Sequence, residues 1–360
     1  MRRKFSTMTT VINRYLTNIE QNMHLWNEIM PTKINPRTNF FNDKNMDKEA
    51  LNFSLGVLWD MIGRKGKKIR PILMLLLADI HKISHEHALP LSYLVETVHN
   101  STLIIDDIED NSLSRRGEPC CHIKFGVDNS INAGALGYFL PIHNMLSLEP
   151  FENLDSLKKF ELLSIFIEEM KNIHLGLAWD IYWHGRKYTP ESLPTEENYY
   201  MMVESKTSVL LRIGFRMLAT LNNLPQQERL KHIKLANLVG VSFQIQDDLI
   251  NLTSESYSTS RGVGVGEDIT EGKITLMVID HIKRTKDKSL LDLLHAKPTD
   301  QKLIDGAIQS MKESGALDYA DRTQRQTMQQ AIELVKGLNG EKRYKDDFEV
   351  VLDGLLGRRK

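Results

Sequence analysis

The sequence predicts an all-α, single-domain helical bundle. Strand patterns are scarce, apolar residues recur at helical spacing from about Leu51 to the end, and neither an internal repeat nor a dividing linker interrupts the 360 residues. Proline and glycine punctuate the pattern near Pro90, Pro119, Pro150, Pro190 to Pro194, Pro225 and Pro298, leaving roughly ten helices of ordinary length. Residues 1–50 read as an N-terminal segment with a first helix, and 51–360 as the domain proper.

Composition narrows the partners. Lys and Arg (46) nearly cancel Asp and Glu (47), so no general electrostatic attraction to nucleic acid or to an anionic membrane is expected. Cys120 and Cys121 are adjacent, and neighbours rarely bridge each other, which points to a reducing compartment without a disulfide framework. No stretch reaches the ~20 apolar residues of a spanning helix. The start, Met1-Arg2-Arg3-Lys4 followed by Ser6, Thr7, Thr9 and Thr10, shares its basic, hydroxylated character with mitochondrial presequences. A frayed terminus on a cytoplasmic protein is the preferred reading.

Two helices carry the chemistry, one over about Leu91 to Asn111 and one over about Glu228 to Leu252, each closing on carboxylates. Acids there oppose the helix dipole, so something positive should compensate. In Asp106-Asp107-Ile108-Glu109-Asp110, Asp106 and Asp110 fall one turn apart on the same face. Their repulsion is tolerable where hard divalent cations sit between them, and Mg²⁺ favours a few carboxylates together with phosphate oxygens and water. Asp247 and Asn251 repeat the spacing in the second cluster, Asp247-Asp248-Leu249-Ile250-Asn251, with Gln244 on nearly the same face. Either cluster alone would suit a solvated helix end; the pair carries the argument. Arg115 and Arg116 follow the first cluster, and Lys65, Lys67, Lys68 and Arg70 precede Pro71, two groups of cations able to hold a diphosphate. The segment from Thr253 to Gly272, rich in Ser, Thr and Gly, reads as a mobile loop beside the site.

Together these segments resemble the trans-isoprenyl diphosphate synthase family, and within it the eukaryotic geranylgeranyl diphosphate synthases. The likeness rests on Val98 to Ser112 (VHNSTLIIDDIEDNS) with Arg115-Arg116-Gly117, on Phe243 to Asp248 (FQIQDD), on Lys206-Thr207, and on Gly266 to Lys273 (GEDITEGK), in the family's order from about Gly66 to His281. It implies the isoprenoid-synthase bundle around a central apolar cavity. It also implies prenyl transfer: isopentenyl diphosphate condensing with an allylic diphosphate, farnesyl diphosphate for a twenty-carbon product, by metal-assisted ionisation, condensation and proton elimination.

By this resemblance Asp106, Asp107 and Asp110 from one side, and Asp247, Asp248 and Asn251 from the other, would bind Mg²⁺, of which three ions are typical. Arg115, Lys206, Thr207, Gln244 and Lys273 would hold the allylic diphosphate, with Arg261 where the family has lysine. Lys67, Arg70, His99 and Arg116 would hold isopentenyl diphosphate without metal. Ser101 and Thr102, both small, leave the pocket open past fifteen carbons, above a floor of Tyr138, Phe139 and His174. The family suggests at least a homodimer.

Departures from the family pattern are Leu177 in place of glutamine, Ser208 and Val209 in place of glycines, Leu249 in place of tyrosine, Asn251 in place of aspartate, and a slightly longer loop from Arg261 to Lys273. Leu136 and Gly137 replace bulkier residues, which would deepen the floor. These changes admit a terpene synthase on the same scaffold, or a product of another length. Retained Lys67, Arg70, His99 and Arg116 argue for condensation, because a cyclase needs no second diphosphate site. The two intact acidic motifs speak against a non-catalytic subunit.

Overall fold

Helices arise where the sequence supplies a cap and an apolar stripe. The computed structural model describes residues 2–30, 48–184, 186–254 and 265–356. In chain order its elements are α1 (Arg2–Gln21), α2 (His24–Ile29), α3 (Lys48–Gly63), α4 (Ile69–Ile80), α5 (His85–Glu109), the strands β1 (Ser114–Arg115) and β2 (Glu118–Pro119), α6 (Cys121–Phe125), α7 (Val127–Met145), α8 (Glu149–Glu152), α9 (Ser156–His184) and α10 (Glu196–Lys206). There follow α11 (Val209–Leu221), α12 (Gln226–Thr253), α13 (Glu267–Glu271), α14 (Leu276–Thr285), α15 (Lys288–Ala296), α16 (Gln301–Glu313), α17 (Ala316–Lys336) and α18 (Lys342–Leu356). Eighteen helices lie among the described residues against the expected ten, and part of the excess is α2, α6, α8 and α13, which have only 6, 5, 4 and 5 residues. Periodicity cannot register a segment of one turn or so.

The expected boundary at Pro90 is displaced. Ser84 caps α5 by accepting from the Glu86 N–H, and Pro90 lies inside the helix. The hydrogen bond lost is to the Glu86 carbonyl, on an exposed residue in the first turn. Pro225 does mark a start, as the N-cap of α12.

Close approach between helices sets the geometry around the site. A Cβ added to Gly137 of α7 would lie 1.9 Å from the Ser101 hydroxyl oxygen of α5 and 2.9 Å from Leu58. The space that a glycine might have left at the floor is thus filled by Ser101 and Leu58, which corrects the expectation of a deeper pocket. One added to Gly176 of α9 would lie 2.6 Å from the Lys206 backbone nitrogen, so that glycine lets α10 lie directly on α9.

A buried ion cluster fixes α9 against α11: Glu169 accepts from Arg212 at 2.9–3.1 Å and from Arg216 at 2.6 Å. Two apolar groups surround the site, one built on α4, α5, α7 and α11, the other on α10 and α14–α17, and α12 contributes to both. Both α1 and α2 enter the first group, through Tyr15, Ile19, Trp26 and Ile29.

One polar contact in this frame titrates. His81, after α4, and His232 of α12 meet Nε2 to Nε2 at 2.8 Å. Because His232 Nδ1 faces the Phe215 carbonyl oxygen at 3.2 Å, the neutral ring carries its hydrogen on Nδ1 and accepts from His81 Nε2. Burial lowers both imidazoles, and the neighbouring His81 adds to this at His232, which falls from 6.5 to about 4. Between those values the unfolded chain binds a proton that the folded chain refuses, so stability drops as pH falls through the window, by at most ~3 kcal/mol from His232. Urea midpoints are expected to fall less between about pH 7 and about pH 4 in a His232→Gln variant than in the wild type. An equal fall in both would remove the pair from the acid response.

Candidate active site

The acidic end of α5 is terminated by local backbone chemistry. Asn111 adopts the left-handed conformation (φ 53°), its N–H bonds the Ile108 carbonyl, and the Ser112 N–H bonds the Asp107 carbonyl at 2.9 Å. This paired arrangement closes a helix with an asparagine in the position usually taken by glycine. A two-residue turn follows, in which Arg116 (φ 58°) and Gly117 (φ 81°) are both left-handed, the geometry that joins β1 to β2 most tightly. Arg64 pins the hairpin by donating to the Arg115 carbonyl at 3.1 Å and the Pro119 carbonyl at 2.8 Å.

The hairpin supplies the compensating charge. Arg115 Nε donates to Asp107 at 2.7 Å, and its terminal nitrogen reaches Asp106 at 3.3 Å. Asp107 is fully buried and does not line the cavity, whereas Asp106 and Asp110 do. A second cation is Lys273, with Nζ 3.7 Å from Asp110 and 3.4 Å from Asp268, and paired also with Glu271. Lys273 therefore ties the end of α5 to α13. Burial, together with Asp110 and Asp268, pushes the Glu271 carboxyl up to about 7 despite that lysine.

On α12, Asp247 is exposed and lines the same cavity as Asp106. Asp248 is buried, accepting from Gln244 Nε2 and from the Tyr199 hydroxyl, each at 2.8 Å, and burial beside Asp268 pushes its carboxyl up to about 8. Gln244 in turn accepts from the Thr207 hydroxyl at 2.7 Å. Asn251 is not part of the lining: its side-chain oxygen accepts the Asp268 N–H at 3.1 Å and its carbonyl the Gly266 N–H at 3.0 Å, docking α13 on α12. Lys206 forms an ion pair with Asp180 of α9. Against the effect of burial, Lys206 and His184 hold the Asp180 carboxyl far below the usual carboxylate range.

A separate group of cations gathers where α3 gives way to α4. Lys67, Lys68, Arg70, His99 and Arg116 line the cavity, and Arg116 donates to the Asn100 side chain at 3.0 Å. Burial, with Arg70 and Arg116 adding to it, keeps the His99 imidazole well below its usual value and hence neutral. The acid facing these cations is Glu96, 3% exposed and 3.4 Å from Lys68. Lys68 belongs to the cations the sequence offered for a diphosphate, whereas sequence reasoning missed Glu96 as a site residue, along with Glu109, Asp180, Tyr199 and Asp268, which also line the cavity. The available signal for Glu96 was its position three residues before His99 on one helical face.

Both groups of charges open on one cavity of about 710 Å³, within the ~300–1,000 Å³ usual for small-molecule sites. Its polar end passes into an apolar one by a repeated device: four charged residues each stand one turn beyond an uncharged or apolar one on the same helix. Thr102 precedes Asp106, Leu177 precedes Asp180, Met202 precedes Lys206, and Phe243 precedes Asp247, all of them lining the cavity. Leu103, Ile105, Ile173 and Leu210 complete the apolar part.

Of the expected floor, Tyr138 lines the cavity, with the His174 ring edge-on at 5.4 Å. Phe139 does not: one residue further along α7 it turns outward and is 70% exposed. Ser101 is buried outside the lining, bonded to the Thr97 carbonyl. Arg261 and the centre of the expected loop, residues 255–264, lie outside the described residues. The loop's far end is ordered as α13.

Among the described residues no three acidic, histidine or cysteine side chains close into a ready-made metal cage. Asp106 and Asp110 on one face of α5, with Asp247 on α12, instead offer a few hard oxygens beside open space, a donor set that suits Mg²⁺ shared with phosphate oxygens.

An all-helical shell that gathers carboxylates, lysines and arginines at the mouth of an apolar cavity defines an enzyme acting on diphosphates with hydrocarbon tails. The chain belongs to the polyprenyl synthetase family, whose profile matches residues 54–311, and it is a trans-prenyltransferase. The geranylgeranyl pyrophosphate synthase of Rhodocybe pseudopiperita is 36% identical over 253 residues, 70% of each chain. That of Dictyostelium discoideum is 32% identical over 72% of this chain and 80% of its own. The same fold is found in the geranylgeranyl pyrophosphate synthetase of Pyrococcus horikoshii (TM-score 0.80, 21% identity, 99% and 100% covered). It is found too in the Caulobacter crescentus polyprenyl synthase complexed with calcium and isoprenyl diphosphate (TM-score 0.78, 19% identity, 97% and 98% covered). Enzymes of this family are in general Mg²⁺-dependent.

Proposed function

We propose that the protein condenses farnesyl diphosphate with isopentenyl diphosphate to give geranylgeranyl diphosphate. The observation that carries this reading is the presence of two unlike polar groups on one cavity, carboxylates with Lys206 and Lys273 in one and Lys67, Arg70, His99 and Arg116 in the other, above a shared apolar compartment. The geranylgeranyl product follows the names of the similar enzymes, and the small Thr102 one turn below Asp106 leaves room for the tail.

Asp106, Asp110, Asp247 and Asp248 would hold Mg²⁺, three ions in all, which when bound supplies positive charge to the departing pyrophosphate. Asp107 acts through Arg115, which it holds in place, and Asn251 acts through α13. Arg115, Lys206 and Lys273 face the pyrophosphate of the allylic substrate and stabilise the charge that grows there as the C–O bond breaks. Gln244 and Thr207 orient it by hydrogen bonds. Arg70, Arg116 and Lys67 fix the second substrate, and the neutral His99 can donate to it without adding charge. The isopentenyl double bond then attacks the allylic carbon, a proton leaves the adduct to the released pyrophosphate, and a new allylic diphosphate remains. The apolar walls keep water from the cation.

Self-association is part of this reading. Leu157, Phe160, Ile167, Leu175, Trp179 and Tyr182 are exposed along one stripe of α9, an apolar face of the kind that a second copy covers.

The test is an incubation with Mg²⁺, labelled isopentenyl diphosphate and farnesyl diphosphate, followed by dephosphorylation and sizing of the products. Label in a twenty-carbon prenol is expected; hydrocarbon formed from the allylic substrate alone, with no label in a longer prenol, would overturn the reading. Thr102→Phe is expected to shift the main labelled product to fifteen carbons when dimethylallyl diphosphate is the starter, while ionisation persists. An unchanged product distribution would remove Thr102 from length control.

A further inference from the structure

Lys68 is held in a manner that substrate binding does not require. It is the N-cap of α4 and adopts the left-handed conformation (φ 48°, ψ 33°), a strained state for a residue with a side chain, and one that persists only where the surroundings impose it. Three contacts impose it here. The ammonium lies 4.9 Å from the ring centroid of Trp26, 3.4 Å from Glu96 and 3.5 Å from the Ile62 carbonyl oxygen. Trp26, on α2, is itself fully buried: its Nε1 donates to the Thr97 hydroxyl at 2.9 Å, and its ring stacks on Tyr93 at 4.7 Å. Trp26 does not line the cavity, whereas Lys68, which its ring supports, does. Lys67 and Arg70, the cations of the metal-free group, flank this residue on either side.

We infer that Trp26, Lys68 and Glu96 form a clamp that locks the turn between α3 and α4, with Lys68 a positioning residue for Lys67 and Arg70. The N-terminal helix α2 is thereby part of the isopentenyl diphosphate site. The clamp also matches charge. Glu96 forms an ion pair with Lys68 and also sets its charge against Arg70 and Arg116, so the acid balances the cluster as well as holding the turn. The inference rests on the proposed function, since it concerns the site assigned there to isopentenyl diphosphate.

Glu96→Gln separates positioning from direct binding by sign. Were Lys68 a ligand restrained by Glu96, removing the acid would free its charge and lower KM for isopentenyl diphosphate. As a clamp member, Glu96→Gln is expected to raise that KM about tenfold, the scale of one lost charge-assisted contact. KM for farnesyl diphosphate and kcat should stay within about twofold of the wild type. Trp26→Leu is expected to act in the same way, and Trp26→Phe, which keeps a ring under the ammonium, to restore the wild-type KM. An unchanged or lowered KM for isopentenyl diphosphate in Glu96→Gln would overturn the clamp, as would an equal rise in both KM values in Trp26→Leu. Wild-type protein assayed in parallel keeps the two readings apart: no label incorporated by the wild type defeats prenyl transfer, whereas active variants with wild-type KM values defeat only the clamp.

Discussion

Replacing Asp106 by alanine is expected to lower kcat by at least ~10³-fold while leaving the protein folded and KM for isopentenyl diphosphate near its wild-type value. Asp106 is partly exposed at the end of α5 and shares its neighbour Arg115 with the fully buried Asp107. Its removal therefore leaves Arg115 anchored at 2.7 Å to Asp107, and the helix terminus is made by Asn111 and Ser112 rather than by the aspartate side chain. What is lost is one of the carboxylates proposed to hold Mg²⁺ where pyrophosphate departs. Steady-state kinetics at saturating Mg²⁺, with a thermal melt beside them, decide the matter. A fall of less than about tenfold would show that the ionising charge is supplied elsewhere.

Lys206→Met is expected to cost a further large factor, ~10³-fold in kcat, by two routes that add. It removes a partly buried cation proposed to face the leaving pyrophosphate, and it strips Asp180 of its main partner. Burial disfavours the Asp180 carboxylate, and it is chiefly Lys206 and His184 that hold it ionised, so the variant leaves that acid with His184 and the field of Lys273. The double variant Lys206→Met with Asp180→Asn distinguishes the routes. Removing both charges relieves the uncompensated acid, so the thermal stability should recover while kcat remains low. Recovery of kcat together with stability would assign Lys206 to structure alone.

How far the sequence discloses such a site depends on whether its signal is local. Paired acids four residues apart are visible in Asp106 and Asp110 because one helical face fixes their relation, and the structure sets both on the cavity with Asp247. The meeting of Glu96 with Lys68 is invisible for the opposite reason: it depends on a turn with φ 48° and on Trp26, distant in sequence. Phe139 shows a subtler gap. It follows Tyr138, but on a helix the next residue is turned by about 100°, so the two cannot face one cavity in the same way. Gly137 illustrates how small residues mislead, since an absent side chain suggests space whereas Ser101 and Leu58 occupy it.

Solved structures of enzymes named for different products share this fold. The decaprenyl diphosphate synthase of Rhodobacter capsulatus matches this chain with a TM-score of 0.78, and the heptaprenyl diphosphate synthase of Staphylococcus aureus with 0.75, much as the Pyrococcus horikoshii geranylgeranyl enzyme does with 0.80. Enzymes with quite different products thus share one helical frame. Thr102, Tyr138, Ile173 and Leu177 are among the side chains that line the cavity here. Leu177 lines the cavity one turn before Asp180, so the position that carries glutamine in the wider family is apolar wall here.

Two diphosphate sites of unlike chemistry are proposed to share one cavity, the first needing metal and the second not. Calorimetric binding of isopentenyl diphosphate and of a non-ionising farnesyl thiodiphosphate, each with Mg²⁺ and with a chelator, tests this most directly. The farnesyl analogue should bind only with Mg²⁺, isopentenyl diphosphate should bind in the chelator as well, and the two should bind together when Mg²⁺ is present. Equal dependence of both ligands on Mg²⁺, or displacement of one by the other, would contradict the account.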